Sequence, residues 1–154
     1  MKHFLPKSSK QTMKVIFVIV LSAYVLIENE AAMTDAQLKA ALKLLRNVCQ
    51  PKNKATNEQI EAMHKGDWNQ DKNGMCYMYC VLNMYKLMKK DNTLDYEVGM
   101  ATIENQAPES VKVTATHALN ACKDAAKTTS DKCVAAHEIA KCIYFDNPAA
   151  YFLP

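Results

Sequence analysis

The chain has 154 residues, 49 % of them hydrophobic, and a formal net charge of +3. One domain fits that length. Four of the 19 basic residues and two of the 16 acidic ones precede residue 33, so the remainder carries only +1. That balance, with no basic patch interleaved with aromatics, argues against a nucleic-acid partner and gives no reason for a charged-membrane one.

In chain order the first feature is a leader. Lys2, Lys7, Lys10 and Lys14 lie ahead of or abut an apolar run from Val15 to Ile27. The run is short for a bilayer span and has a basic front, which is the pattern of a secretory signal peptide. Met13 offers an alternative start, and Ala31 and Ala32 supply small residues at the end. The leader is therefore expected over residues 1–32 and the mature domain over 33–154.

All six cysteines follow the leader. Secretion with an even cysteine count implies a disulfide framework. Six cysteines allow fifteen pairings, and spacing alone does not choose among them.

Past the leader, apolar residues recur at helical spacing and strand-like alternation is absent. A first helix is expected from the Thr34/Gln37 capping box, with Leu38, Ala41, Leu42, Leu45 and Val48 on one stripe, broken at Gln50-Pro51. A second box, Thr56/Gln59, opens a shorter helix that Gly66 ends. Asp67 to Gly74 reads as a polar loop around Trp68. The third helix, about Met75 to Lys89, is apolar almost all round and so buried. A fourth covers about Tyr96 to Asn105. A fifth runs from Pro108 to about Lys127, and a sixth from a Ser130 or Asp131 cap to about Phe145, where Asn147-Pro148 stops it.

The cysteines are separated by 26, 3, 41, 10 and 8 residues. Cys76 and Cys80, four apart, share one helix face and cannot easily bond each other, so each must reach a different neighbour. Drawing Cys76 and Cys80 with His117 or His137 as a zinc site is the weaker reading, because oxidising compartments favour disulfides. No metal or cofactor is expected.

This pattern resembles the six-cysteine insect odorant-binding family. The C-x3-C pair in the third helix and the C-x8-C pair near the end are its firmest marks, and leader, helix count and length agree over residues 33–154. The resemblance implies an all-α fold: a compact bundle of about six helices around an apolar cavity, with bridges Cys49–Cys80, Cys76–Cys133 and Cys122–Cys142. It also implies that the tail, residues 146–154, folds over the pocket as a lid.

A carrier of apolar molecules needs flexible hydrophobes and a few polar groups to orient the ligand. The nine methionines suit it, because an unbranched thioether adapts to several shapes. The expected lining is Leu45 from the first helix, then Met78, Val81, Leu82, Asn83 and Tyr85 from the third. Leu119 comes from the fifth, Ala136, Ala140 and Ile143 from the sixth, and Tyr151, Phe152 and Leu153 from the tail. Asn83 is the polar candidate for a ligand oxygen. Burying ~10–15 CH₂-sized groups at ~0.8 kcal/mol each gives roughly 10 kcal/mol gross. Association takes several kcal/mol of that, so micromolar affinity is expected. His117 and His137, in the last two helices near the tail, are candidates for a pH-linked release.

No glycine-rich phosphate loop, nucleophile elbow or HExxH sequence is present, and His64 near Asp67 implies no nucleophile, so an enzyme is not expected. The function that the resemblance implies is extracellular binding and transport of small hydrophobic ligands, odorants or pheromones, through lymph to receptors. The alternative is a secreted carrier or scavenger of a non-odour lipid, or a protein-interaction factor in saliva or reproductive fluid. Partners would be the apolar ligand, an olfactory receptor and at most a weakly paired second copy.

Overall fold

The computed structural model describes residues 32–154. The expected leader, but for Ala32, lies outside them. Six α-helices follow in chain order: α1 (Asp35–Asn53), α2 (Asn57–His64), α3 (Lys72–Met84), α4 (Tyr96–Gln106), α5 (Glu109–Ala121) and α6 (Lys132–Asp146). A single 3₁₀ turn, Pro148–Ala150, leads into the tail. None of these helices is long and apolar enough to cross a membrane.

The helix starts follow the sequence. Both capping boxes form: the Thr34 hydroxyl accepts from Gln37 N and the Thr56 hydroxyl from Gln59 N. Asp131 caps α6 through Cys133 N and Val134 N. Asp71 caps α3 by accepting from Asn73 N and Gly74 N, so that helix begins inside the stretch expected to be loop.

The helix ends differ from expectation. Pro51 does not break α1; it sits in the last turn, where the hydrogen bond its missing N–H would make is one of few remaining. What stops α1 is Lys54, at φ 56°. There Ala55 N donates to Gln50 O and Lys54 N to Pro51 O, the paired bonds of a Schellman motif. The same pair recurs after α2, where Gly66 takes φ 90° and Asp67 N donates to Ala62 O. It recurs after α3, where Lys86 takes φ 59°, Leu87 N donates to Leu82 O and Lys86 N to Asn83 O. This last motif ends α3 at Met84 and not near Lys89. Residues 87–95 then form a short antiparallel turn, bridged between Met88 and Leu94.

All six cysteines are bonded: Cys49–Cys80, Cys76–Cys133 and Cys122–Cys142. Cys49–Cys80 joins α1 to α3, Cys76–Cys133 joins the first turns of α3 and α6, and Cys122–Cys142 ties the end of α5 to α6. The Lys72–Asp131 ion pair lies at the same end as Cys76–Cys133, so α3 and α6 start side by side. Their contact is the densest part of the core, with Tyr77, Met78, Val81, Leu82, Ala136, Ile139 and Ala140 all essentially without exposure. Three alanines on α6, Ala135, Ala136 and Ala140, are fully buried, and small side chains let the helices approach closely.

Candidate functional site

An apolar cavity of about 90 Å³ lies off that seam, bordered mainly by α4 and α5. Met33 and Leu38 close one end. Leu82, Tyr85 and Leu87 come from α3 and the turn after it, and Gly99, Thr102, Ile103, Gln106 and Ala107 from α4 and its end. Val111, Ala115, Ala118 and Leu119 of α5, Ile143 of α6, and Phe152 and Leu153 of the tail complete the wall.

Local folding explains how these side chains converge. The Schellman turn at Lys86 reverses the chain so that Leu87 stands beside Leu82 on the cavity wall, the apolar pairing that accompanies this motif. Gly99 lets α4 close on α5: a Cβ there would sit 2.7 Å from Leu119 Cδ2 and 3.3 Å from Leu87 Cδ2. Tyr96 Oη donates to Asn120 Oδ1 at 2.7 Å, fastening the two helices at that end. At the other end Met33 N donates to Gln106 O at 2.9 Å, and the Ser110 hydroxyl bonds Asp35. The start of α1 is thereby folded onto the far edge of the cavity.

Little polarity faces the void. The Thr102 hydroxyl donates to Val98 O of its own helix at 2.8 Å, so it has no hydrogen left to donate to a ligand. The Tyr85 hydroxyl makes no hydrogen bond among the described residues, and burial raises its pKa, so it stays a protonated donor.

Six of the expected lining residues meet here: Leu82, Tyr85, Leu119, Ile143, Phe152 and Leu153. Leu45, Met78, Val81, Ala136 and Ala140 are buried in helix packing and do not line the void. Asn83 is exposed, one step round the helix from Leu82, and points no polar group into the cavity. Eleven lining residues were not expected. Most lie on α4 and α5, whose mixed small and polar composition gives a weaker signal than the apolar α3.

The tail is held from below. Tyr77 Oη donates to Pro154 O at 2.6 Å inside the core, and the Tyr151 hydroxyl reaches toward Met78 Sδ at 3.9 Å. Tyr151 packs into an aromatic cluster. Its ring centroid is 5.3 Å from that of His64, 6.0 Å from Trp68 and 5.2 Å from Tyr144. His137 lies 5.4 Å beyond Trp68. Burial pushes the pKa of both His64 and His137 down, favouring the neutral rings. Trp68 Nε1 and His137 Nε2 are buried without partners among the described residues. His117 is elsewhere: its ring is mostly exposed, with Nδ1 2.9 Å from Asp146 Oδ2.

Six helices, three interlocking disulfides and a partly open apolar cavity define a stapled helical fold suited to holding small hydrophobic molecules. The chain belongs to the PBP/GOBP family, whose model matches residues 31–145. It is 32 % identical over 121 residues to general odorant-binding protein 72 of Anopheles gambiae, covering 79 % of this chain and 99 % of the relative. It is 30 % identical over 119 residues to general odorant-binding protein 19a of Drosophila melanogaster, covering 75 % and 81 %. Among solved structures, odorant-binding protein 4 of Chrysopa pallens superposes with a TM-score of 0.74 at 38 % identity, over 79 % of this chain and 99 % of that one.

Proposed function

We propose that this is a secreted carrier that takes up small apolar molecules, odorants or pheromones, and moves them through an aqueous lymph to receptors. The apolar cavity between α4, α5 and the tail carries this reading, since its wall is aliphatic and aromatic save for the Tyr85 phenol, Thr102 and Gln106. Its about 90 Å³ is small beside the ~300–1,000 Å³ of drug-sized sites. The ligand is therefore of volatile size, and a larger one requires Phe152 and Leu153 to yield. Titration with an environment-sensitive naphthylamine probe, followed by displacement with volatiles, tests the reading. Binding at about micromolar Kd is expected, and absence of uptake overturns it.

Release on acidification is part of the proposal, and the packing of His64 against Tyr151 and of His137 against Trp68 supports these two rings as its site. His117 lies beside Asp146 with its ring mostly exposed, away from the apolar tail. His64 and His137 instead flank the cluster that seats Tyr151. Glu61 and Arg46 lie near His64, and Glu138 and Lys141 near His137, so each ring feels one charge of either sign. Because burial lowers both folded-state values, the unfolded chain or a detached tail binds more protons at acidic pH. The seated state is then intact above the ordinary histidine value and is lost as pH falls through the lowered one. Probe affinity should drop between neutral and mildly acidic pH. Equal affinity at both, or an undiminished drop in the His64→Ala/His137→Ala double variant, defeats this part.

A further inference from the structure

On the other side of the tail from the cavity lies an open groove. Its walls are Lys39, Leu42, Lys43 and Arg46 of α1, His64 of α2, and the tail from Tyr151 to Pro154. Phe152 and Leu153 line both the groove and the cavity, so two side chains separate them. Lys39, Lys43 and Arg46 stand at spacings of four and seven residues and so share one face of α1. Like charges at that spacing disfavour a helix; Arg46 pairs with Glu61 at 3.1 Å, and Asp35, one turn before Lys39, accepts from the Ser110 hydroxyl. Neither Lys39 nor Lys43 forms an ion pair among the described residues, whether with a side chain or with an oxygen of Pro154. His64 adds no cation at neutral pH, since burial keeps its ring neutral. Leu38 of the same helix lines the cavity and Leu42, one turn on, lines the groove.

We propose that Lys39 and Lys43, with Arg46, form a headgroup site for an anionic amphiphile of the fatty-acid class, whose hydrocarbon chain passes Phe152 and Leu153 into the cavity. The proposal rests on the carrier reading and narrows the ligand to a chain with a carboxylate at one end. Each Lys ammonium is a flexible point charge on an apolar stem, able to follow a carboxylate at a wet groove mouth.

The test uses protein recovered from a secreting expression host, loaded with the naphthylamine probe and displaced by decanoate or by decanol. Decanol is the better ligand for a purely apolar void, because it brings no charge to desolvate. The headgroup site reverses that order: decanoate should bind about tenfold tighter at low salt, the sum of two or three partly exposed ion pairs. The preference should shrink in high salt and vanish in the Lys39→Gln/Lys43→Gln variant, whose exposed positions tolerate the change. Decanol binding as well as or better than decanoate overturns the headgroup site and leaves the carrier reading standing. So does a preference that survives in the variant. Adsorption of the protein to anionic phosphatidylserine vesicles, with no preference between the two monomeric ligands, places the lysines at a membrane surface and equally overturns it. If the probe itself does not enter, both readings fall.

Discussion

Between α3 and α6, fully buried Tyr77, Val81 and Leu82 meet Ala136, Ile139 and Ala140, and Cys76–Cys133 ties the first turns. Between α4 and α5, Gly99 meets Leu119, no disulfide joins the pair, and the void opens alongside. The staples thus reinforce the part of the molecule that is already densely packed. The cavity sits against α4, which carries no cysteine. Stapling the seam fixes a platform, Cys122–Cys142 anchors the end of α5 to it, and α4 is the one helix of this pair that no staple holds.

Removing the seam's staple gives the largest effect. The Cys76→Ala/Cys133→Ala variant frees a loop of sequence separation 57 and should lose about 4 kcal/mol in urea unfolding. Probe affinity of the folded fraction should barely move; a matching loss of affinity would erase the distinction between the two regions. Next comes one substitution placed on each side. Ala136→Leu overpacks the seam and should cost about 1–3 kcal/mol. Ala115→Leu grows into the void, should cost less, and should exclude the probe. Equal costs would mean the void is not available to side chains.

Gly99→Ala is subtler. A mid-helix alanine is worth about 1 kcal/mol over glycine, but its Cβ drives Leu119 toward the void. Calorimetry should show stability changed by less than ~1 kcal/mol, while probe uptake weakens. The smallest effect is at the turn that turns Leu87 inward. Lys86→Gly relieves a left-handed lysine and should stabilise by about 0.5 kcal/mol, part of the gain being lost to the freer unfolded chain. Destabilisation there would show that the lysine stem contributes packing that offsets its backbone cost.

The framework was legible because its signals are local or combinatorial. Thr34/Gln37 and Thr56/Gln59 announce two helix starts, and six cysteines at fixed spacings carry the pairing through the family resemblance. Helix ends were less legible. Gly66 advertises its left-handed conformation, whereas Lys54 and Lys86 adopt it with no compositional sign, so periodicity alone carries α3 past Met84 to about Lys89. The site was half legible for a related reason. Apolarity marks Met78, Val81 and Ala140 as inside, but it does not say whether a buried residue faces a neighbour or a void. Asn83 stands out in the sequence as a polar residue in an apolar helix, yet one residue of rotation puts it in water. Gly99, Thr102 and Ala115 look unremarkable in sequence because their role depends on how closely two helices approach.

The chain has a single tryptophan, Trp68, and it stands in the aromatic cluster with Tyr151 and His137 and not on the cavity wall. Its intrinsic emission is therefore a gauge of the tail and not of cavity occupancy. Quenching on ligand addition would record the movement of Tyr151 at a distance. A ligand that fills the void without disturbing the tail would leave the spectrum unchanged, a silent binder that only an extrinsic dye reveals.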